Sequence, residues 1–212
     1  GAGKFEDFSW KDVLDAYTCT ECGRCTDNCP AWATDKALSP RDIVVKLRHF
    51  VTENANSDAM KEEYLPSDEW VTADELYACT TCSACVEQCP LFIDQMGKIL
   101  EMRRFLTMEG KLTGTAVRTL QKLGSHGNPW GFEATDRAPW AKENEVPVLG
   151  NGAGDNAEDF DVIFWTGCFG AFDPRGQEVA TTITDLMKEA GVKFAIMGPN
   201  ETCSGDPARR LG

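Results

Sequence analysis

The sequence predicts a helical, cysteine-rich half followed by the opening of an α/β half. Three observations carry this. Two dense cysteine motifs, CTECGRCTDNCP (19–30) and CTTCSACVEQCP (79–90), repeat at an offset of 60 residues. Apolar residues around them recur at helical spacing, with little strand signal. Beyond residue 160 the pattern changes to strand, helix, strand.

Composition narrows the class. A chain of 212 residues suits one large domain or two small ones. With 42% hydrophobic and 26% charged residues it reads as an ordinary globular protein. A net charge of -13 argues against the basic footprint of a nucleic-acid binder. The acidity serves solubility, or steers a basic protein partner. No run of 18 apolar residues marks a membrane span, and no signal peptide is visible. The chain opens Gly-Ala-Gly without methionine, so a processed or excised chain is expected, with room for an N-terminal membrane anchor.

The first elements come in repeated order. The offset of 60 pairs Tyr17 with Tyr77, then Cys19, Thr20, Cys22, Cys25, Cys29 and Pro30 with their counterparts. Ser9-x-x-Asp12 and Thr72-x-x-Glu75 read as capping boxes of short helices, backed by Val13, Leu14 and Leu76. After the first motif, Ser39 is the N-cap of a helix with Pro40 at its first position and Asp42 three past the cap. Ile43, Leu47, Phe50 and Val51 then share one face, which should meet the core. After the second motif, Ile99, Met102, Arg103 and Leu106 form a weaker stripe of the same kind. The intervening ENANSDAMKEEYLPSDEW is polar and acidic and reads as surface.

Residues 112–160 lose periodicity and are rich in Gly and Pro, ending in GNGAGDNAED. Trp130 and Trp140 speak against disorder, so this is read as a connector packed across the first domain, with partner docking as a second role. DVIFW (161–165) suits a buried strand. Val179, Ile183, Leu186, Met187 and Ala190 follow at helical spacing, with Gly191 as C-cap and VKFAIMG (192–198) as a second strand. That is a βαβ unit with a parallel pair, too small to be a domain, so more chain is expected past Gly212.

Ten cysteines require an account. Disulfides suit small secreted chains, and cysteines three apart rarely allow several good bridges. Metal binding in a reducing compartment fits better. Each motif has the spacing C-x2-C-x2-C-x3-C-P, similar to the [4Fe–4S] run of bacterial ferredoxins. Three cysteines at this spacing let one tight loop meet three corners of the cube, with backbone amides turned inward. In two-cluster ferredoxins the fourth cysteine serves the other cluster. Carried over, that resemblance implies cluster I on Cys19, Cys22, Cys25 and Cys89, and cluster II on Cys79, Cys82, Cys85 and Cys29. Four-cysteine zinc is the alternative, but it usually uses two C-x-x-C pairs across a longer loop.

Cys168 and Cys203 each follow a predicted strand, where α/β folds bind ligands. They form a partial third site, or are two small buried hydrophobes. The nearby glycines do not spell G-x-G-x-x-G, so no dinucleotide site is expected. His49 and His126 lie apart from these motifs, and no catalytic side-chain constellation stands out.

Taken together, DAYTCTECGRC, GNPWG and TGC-x34-CSGDPARRLG resemble the heterodisulfide-reductase-like iron–sulfur oxidoreductases, in particular the membrane-associated proteins linked to electron-transferring flavoprotein. The fold class is then an α-helical two-cluster ferredoxin domain (1–111), a connector (112–160) and the N-terminal part of a CCG-like α/β (βαβ) cysteine-rich domain (161–212). The resemblance implies two [4Fe–4S] clusters, a third one completed by residues beyond this chain, and heme in a membrane part preceding Gly1. Its implied partners are a flavoprotein, a cytochrome-b-like membrane domain or subunit, and quinone, at the inner face of the cell membrane. It implies an electron relay, with a catalytic subunit of heterodisulfide-reductase or glycolate/lactate-oxidase type as the alternative. Cys203-Ser204-Gly205 stands where those reductases carry CCG, which favours a simpler cluster over disulfide chemistry.

Overall fold

A computed structural model describes residues 1–54, 63–150 and 156–212. The middle of the acidic insertion and most of GNGAGDNAED lie outside the described residues. The chain forms two compact units, one of residues 1–113 with 207–212, the other of residues 114–206.

The first unit is helical, and its repeat is structural. Helix α1 (Trp10–Thr18) starts at Ser9, whose side chain accepts from Asp12 N while Asp12 answers Ser9 N. Helix α4 (Ala73–Ala78) starts in the same way at Thr72 and Glu75. Both expected capping boxes therefore form, and both helices deliver the chain to the first cysteine of a motif. Helix α3 (Pro40–Asn54) begins behind Ser39, whose Oγ accepts from Asp42 N at 3.3 Å. Its Ile43, Leu47, Phe50 and Val51 are all buried. Helix α6 (Gln95–Met108) buries Ile99, Met102 and Leu106 beside them. A fully buried side chain of this size is worth about 1.5–3 kcal/mol, so this stripe is the main cohesive force of the unit.

Two expectations are corrected in this unit. Leu14 does not back the capping box: it is exposed, and Leu76 alone of that trio is fully buried. The acidic insertion is not all surface. Leu65 is fully buried, Tyr64 stacks on Phe105 at 5.1 Å and Trp70 meets Phe50 edge-on at 5.3 Å. Three apolar side chains are enough to anchor a polar loop, and a composition count averages them away.

In the second unit the strands β1 (Val162–Phe164) and β2 (Phe194–Ile196) pair in parallel, Val162 opposite Phe194. Helix α10 (Pro174–Glu189) connects them, as the periodicity predicts. Only β2 is buried; Val162 and Ile163 on β1 are exposed, so the apolar run DVIFW is not a buried strand in this chain. The far side of β2 is bridged by Val148, and Leu149 N donates to Ile196 O at 2.8 Å.

Residues 112–160 are not a bare connector. They contain helix α7 (Thr115–His126) and helix α8 (Pro139–Glu143). Trp140, Ala141 and Val146 pack with Ala180, Phe194 and Ile196 in the core of the second unit. Gly and Pro in this stretch cap and turn the chain, and they hide a helix whose apolar positions are only half buried. Among the described residues no helix is long and apolar enough to cross a membrane.

Candidate metal centres

The loops of the two motifs share one backbone. Glu21 and Gly23 have φ of 57° and 82°; their counterparts Thr81 and Ser83 have 55° and 65°. A left-handed conformation disfavours any side chain, by about 1–2 kcal/mol, and most of all a β-branched one such as Thr81. Such alternation turns successive amides into one concavity, which is what an anionic group requires. Thr81 N donates to Cys79 Sγ at 3.3 Å within it. A short helix then begins in each repeat, α2 (Arg24–Asp27) and α5 (Ala84–Glu87), and carries Cys25 or Cys85 inward.

The cavities formed this way do not follow the sequence order. One is lined by Cys19, Cys22 and Cys25 together with Cys89. The other is lined by Cys79, Cys82 and Cys85 together with Cys29. Both are narrow and partly open to solvent. The last cysteine of each motif thus faces the cavity of the other.

The donor set distinguishes between metals. Four thiolates on one zinc lie about 2.3 Å from a common point. Among the described residues no three Cys, His, Asp or Glu converge tightly enough to hold a single ion. In a cuboidal cluster each thiolate binds its own iron, so the four stand further apart around a wider space. Four cysteines lining one space are the donor set that a cuboidal cluster takes, one thiolate per iron. Burial pushes the Cys25 and Cys79 thiols up, and the Cys85 thiol up to about 12. Ionising them there calls for a bound cation to offset desolvation.

Ion pairs cross between the repeats in the same sense as the cysteines. Lys98, fully buried on α6, lies 2.7 Å from Asp15 and 3.0 Å from Asp12 on or beside α1. Lys46 on α3 lies 2.6 Å from Glu75 on α4. Asp15 and Glu75 occupy equivalent positions of the repeat. Each entry helix is therefore tied to the exit helix of the other half.

An arginine also reaches the first cysteine of each motif. Arg48 donates to Cys19 O at 3.3 Å and pairs with Glu21. Arg103, buried on α6, donates to Cys79 O at 2.6 Å and to Leu76 O, with its guanidinium over the Tyr77 ring. Its Nη1 donates to Arg210 O on helix α11 (Asp206–Leu211). The sequence stripe had already included Arg103. A charged residue in an otherwise apolar stripe is the signal that a buried polar partner awaits it.

Cys168 and Cys203 also converge, on Gly127 O, which lies 2.7 Å from Cys203 N and 4.0 Å from Cys168 Sγ. Cys168 sits in the first turn of helix α9 (Gly167–Phe172), just after β1. Burial pushes its thiol up, although Arg137 donates to its Sγ at 3.2 Å. Arg137 is itself buried against Glu201, at 3.2 Å, and Glu201 accepts from Thr166 N and Oγ. Gly127 O accepts from Cys203 N at 2.7 Å and from Arg137. The GNPWG turn is locked by Asn128, whose Oδ1 accepts from Gly131 and Phe132 N. Arg137, Glu201 and Asn128 escape sequence reasoning because their partners are distant or in a turn of irregular backbone. His49 and His126 are exposed and belong to none of these centres.

Comparison with known proteins agrees with this chemistry. Residues 11–90 match the 4Fe-4S dicluster domain model. The whole chain is 35% identical to the probable iron-sulfur-binding oxidoreductase FadF of Bacillus subtilis, covering 35% of that protein. It is also 35% identical to the EtfAB:quinone oxidoreductase of Syntrophomonas wolfei, covering 33% of it. Over 94% of its length it is 27% identical to one subunit of the dihydromethanophenazine:CoB--CoM heterodisulfide reductase of Methanosarcina barkeri, covering 48% of that polypeptide. The chain thus spans about a third to a half of the length of these relatives. It carries a 4Fe–4S dicluster domain, and its relatives are iron–sulfur oxidoreductases of the heterodisulfide-reductase-like group.

Proposed function

We propose that this chain is the two-cluster relay of a respiratory oxidoreductase, passing single electrons between a flavoprotein of the electron-transferring type and the quinone pool. The observation that carries it is the pair of cavities, each with three cysteines of one motif and the last of the other. Cys19, Cys22, Cys25 and Cys89 hold cluster I; Cys79, Cys82, Cys85 and Cys29 hold cluster II. When bound, the [4Fe–4S] groups supply one-electron redox chemistry. The protein's own share is positional. The crossed Lys98–Asp15 and Lys46–Glu75 pairs clamp the two halves together. The buried stripe of α3 and α6 keeps the loops from shifting. Left-handed Thr81 donates its amide to Cys79 Sγ.

The finer partners follow from the relatives, one of which is named for both EtfAB and quinone. Flavoprotein, quinone and a heme-bearing, cytochrome-b-like membrane part at the inner face of the membrane are read on that basis. Cys168 and Cys203, with Arg137 beside them, are read as two ligands of a third cluster completed by residues outside these 212.

The decisive experiment is anaerobic purification with iron and sulfide analysis. These 212 residues should account for about eight iron and eight sulfide. Reduced electron-transferring flavoprotein should then bleach the brown chromophore. Zinc without acid-labile sulfide would overturn the reading at its root. Clusters that ignore the flavoprotein would overturn the partner alone.

A further inference from the structure

Resting on that reading, we propose that the two sites are unequal in charge, and that the one built by Cys79, Cys82, Cys85 and Cys29 is the easier to reduce. Arg103 is the reason, acting as a positioning residue through its fixed charge. It is 3% exposed, and its hydrogen-bond acceptors are the carbonyls of Leu76, Cys79 and Arg210. Among the described residues no carboxylate pairs with it. A buried cation without a counter-anion is costly unless a negative group lies close by. The thiolate-ligated site that begins at Cys79 supplies one. A second guanidinium, Arg210, donates to Thr80 O and Thr81 Oγ in the same loop.

Among the described residues the first repeat has no buried cation of the Arg103 kind. Arg48, which reaches Cys19 O, is partly exposed and paired with Glu21 inside the loop. Arg41, which lines the same cavity, is paired with Asp42 at 2.8 Å. Each of these two has a carboxylate beside it, and Arg24, the other cation lining that cavity, is exposed and screened by solvent. Cluster potential responds to net charge, hydrogen bonds to sulfur and exposure. Each site has an amide donor to a cysteine sulfur, Thr81 N to Cys79 and Ile93 N to Cys89, so hydrogen bonding roughly balances. Exposure works the other way, since Cys29 is buried and Cys89 half-buried. One more shielded ligand in four is a smaller effect than an uncompensated buried charge. The net result directs the electron from the Cys19 site to the Cys79 site.

Redox titration of the full-length protein with spectroscopic detection tests this. Cys22→Ser and Cys82→Ser, at the exposed ligand of each site, mark which signal belongs to which. Arg103→Gln should lower the midpoint of the Cys79 site by about 59 mV or more, the one-electron equivalent of a tenfold change, and leave the other in place. Arg103→Lys should keep most of the difference. Glu21→Gln is on the surface and will not unfold the chain; it should raise the midpoint of the Cys19 site. If both clusters are present and Arg103→Gln moves neither midpoint, or Glu21→Gln moves none, the inference is wrong while the relay stands. If Arg103→Gln does not fold, the Glu21→Gln result alone decides. Absence of the clusters themselves would instead overturn the relay.

Discussion

The two cysteine repeats have the same backbone and different chemistry around it. Both enter from a capped helix, turn through two left-handed residues and exit across to the other half. Yet the first uses glycine at the second left-handed position and the second uses serine. The entry helix of the first is tied by a lysine buried completely, that of the second by a lysine a third exposed. The lesson is that the cluster loop tolerates few conformations, whereas the clamp and the charges around it are free to diverge.

Breaking the crossing should have the largest effect. Cys29→Ser lies in the first motif but is expected to remove the cluster of the second, seen as loss of about half the iron with the first cluster's spectrum retained. Loss of the first cluster in its place would show that each motif serves itself.

The clamp comes next. Lys98→Ala removes the buried one of the two cations that hold Asp15, leaving only half-exposed Lys11, and should cost up to about 3–5 kcal/mol in denaturant unfolding. Lys46→Ala, whose ammonium is a third exposed, should cost about 1 kcal/mol or less. Similar losses at both positions would erase the asymmetry.

The same clamp should be visible in acid. Burial works to raise the Asp15 carboxyl, but its bonds to Lys11 and Lys98 outweigh this and hold it below the ordinary carboxylate range. A carboxylate depressed in the folded state adds stability that is complete above about pH 4 and is lost as pH falls through the folded value. Asp15→Asn should therefore flatten the fall in stability below about pH 4, and an unchanged acid limb would remove Asp15 from the clamp.

The smallest effect concerns the turn itself. Ser83→Gly relieves a left-handed side chain and should stabilise by about 0.5–1 kcal/mol, while Gly23→Ala should destabilise by a similar amount or more. Equal and opposite shifts would show that the two loops are interchangeable in energy.

Legibility follows locality. The capping boxes, the α3 stripe and the βαβ order were readable because their partners lie within a few residues. The cysteine spacing was readable because three ligands fall on one tight loop. Trp140 reads as part of a connector because the helix and strand that cover it, at Ala180 and Phe194, lie about forty or more residues on. DVIFW was misread as buried because an apolar run records a need for cover without saying whether these residues supply it.

From residue order alone came the repeat, its metal chemistry and the helices that frame it, because periodicity and short spacing are local properties of a chain. Three-dimensional packing was needed for the rest. It alone put Lys98 against Asp15, Arg103 against Cys79 and Arg137 between Glu201 and Cys168. A long cationic side chain has no sequence mark of its partner. Which anion it meets is settled only when distant helices close the low-dielectric space that makes the pairing necessary.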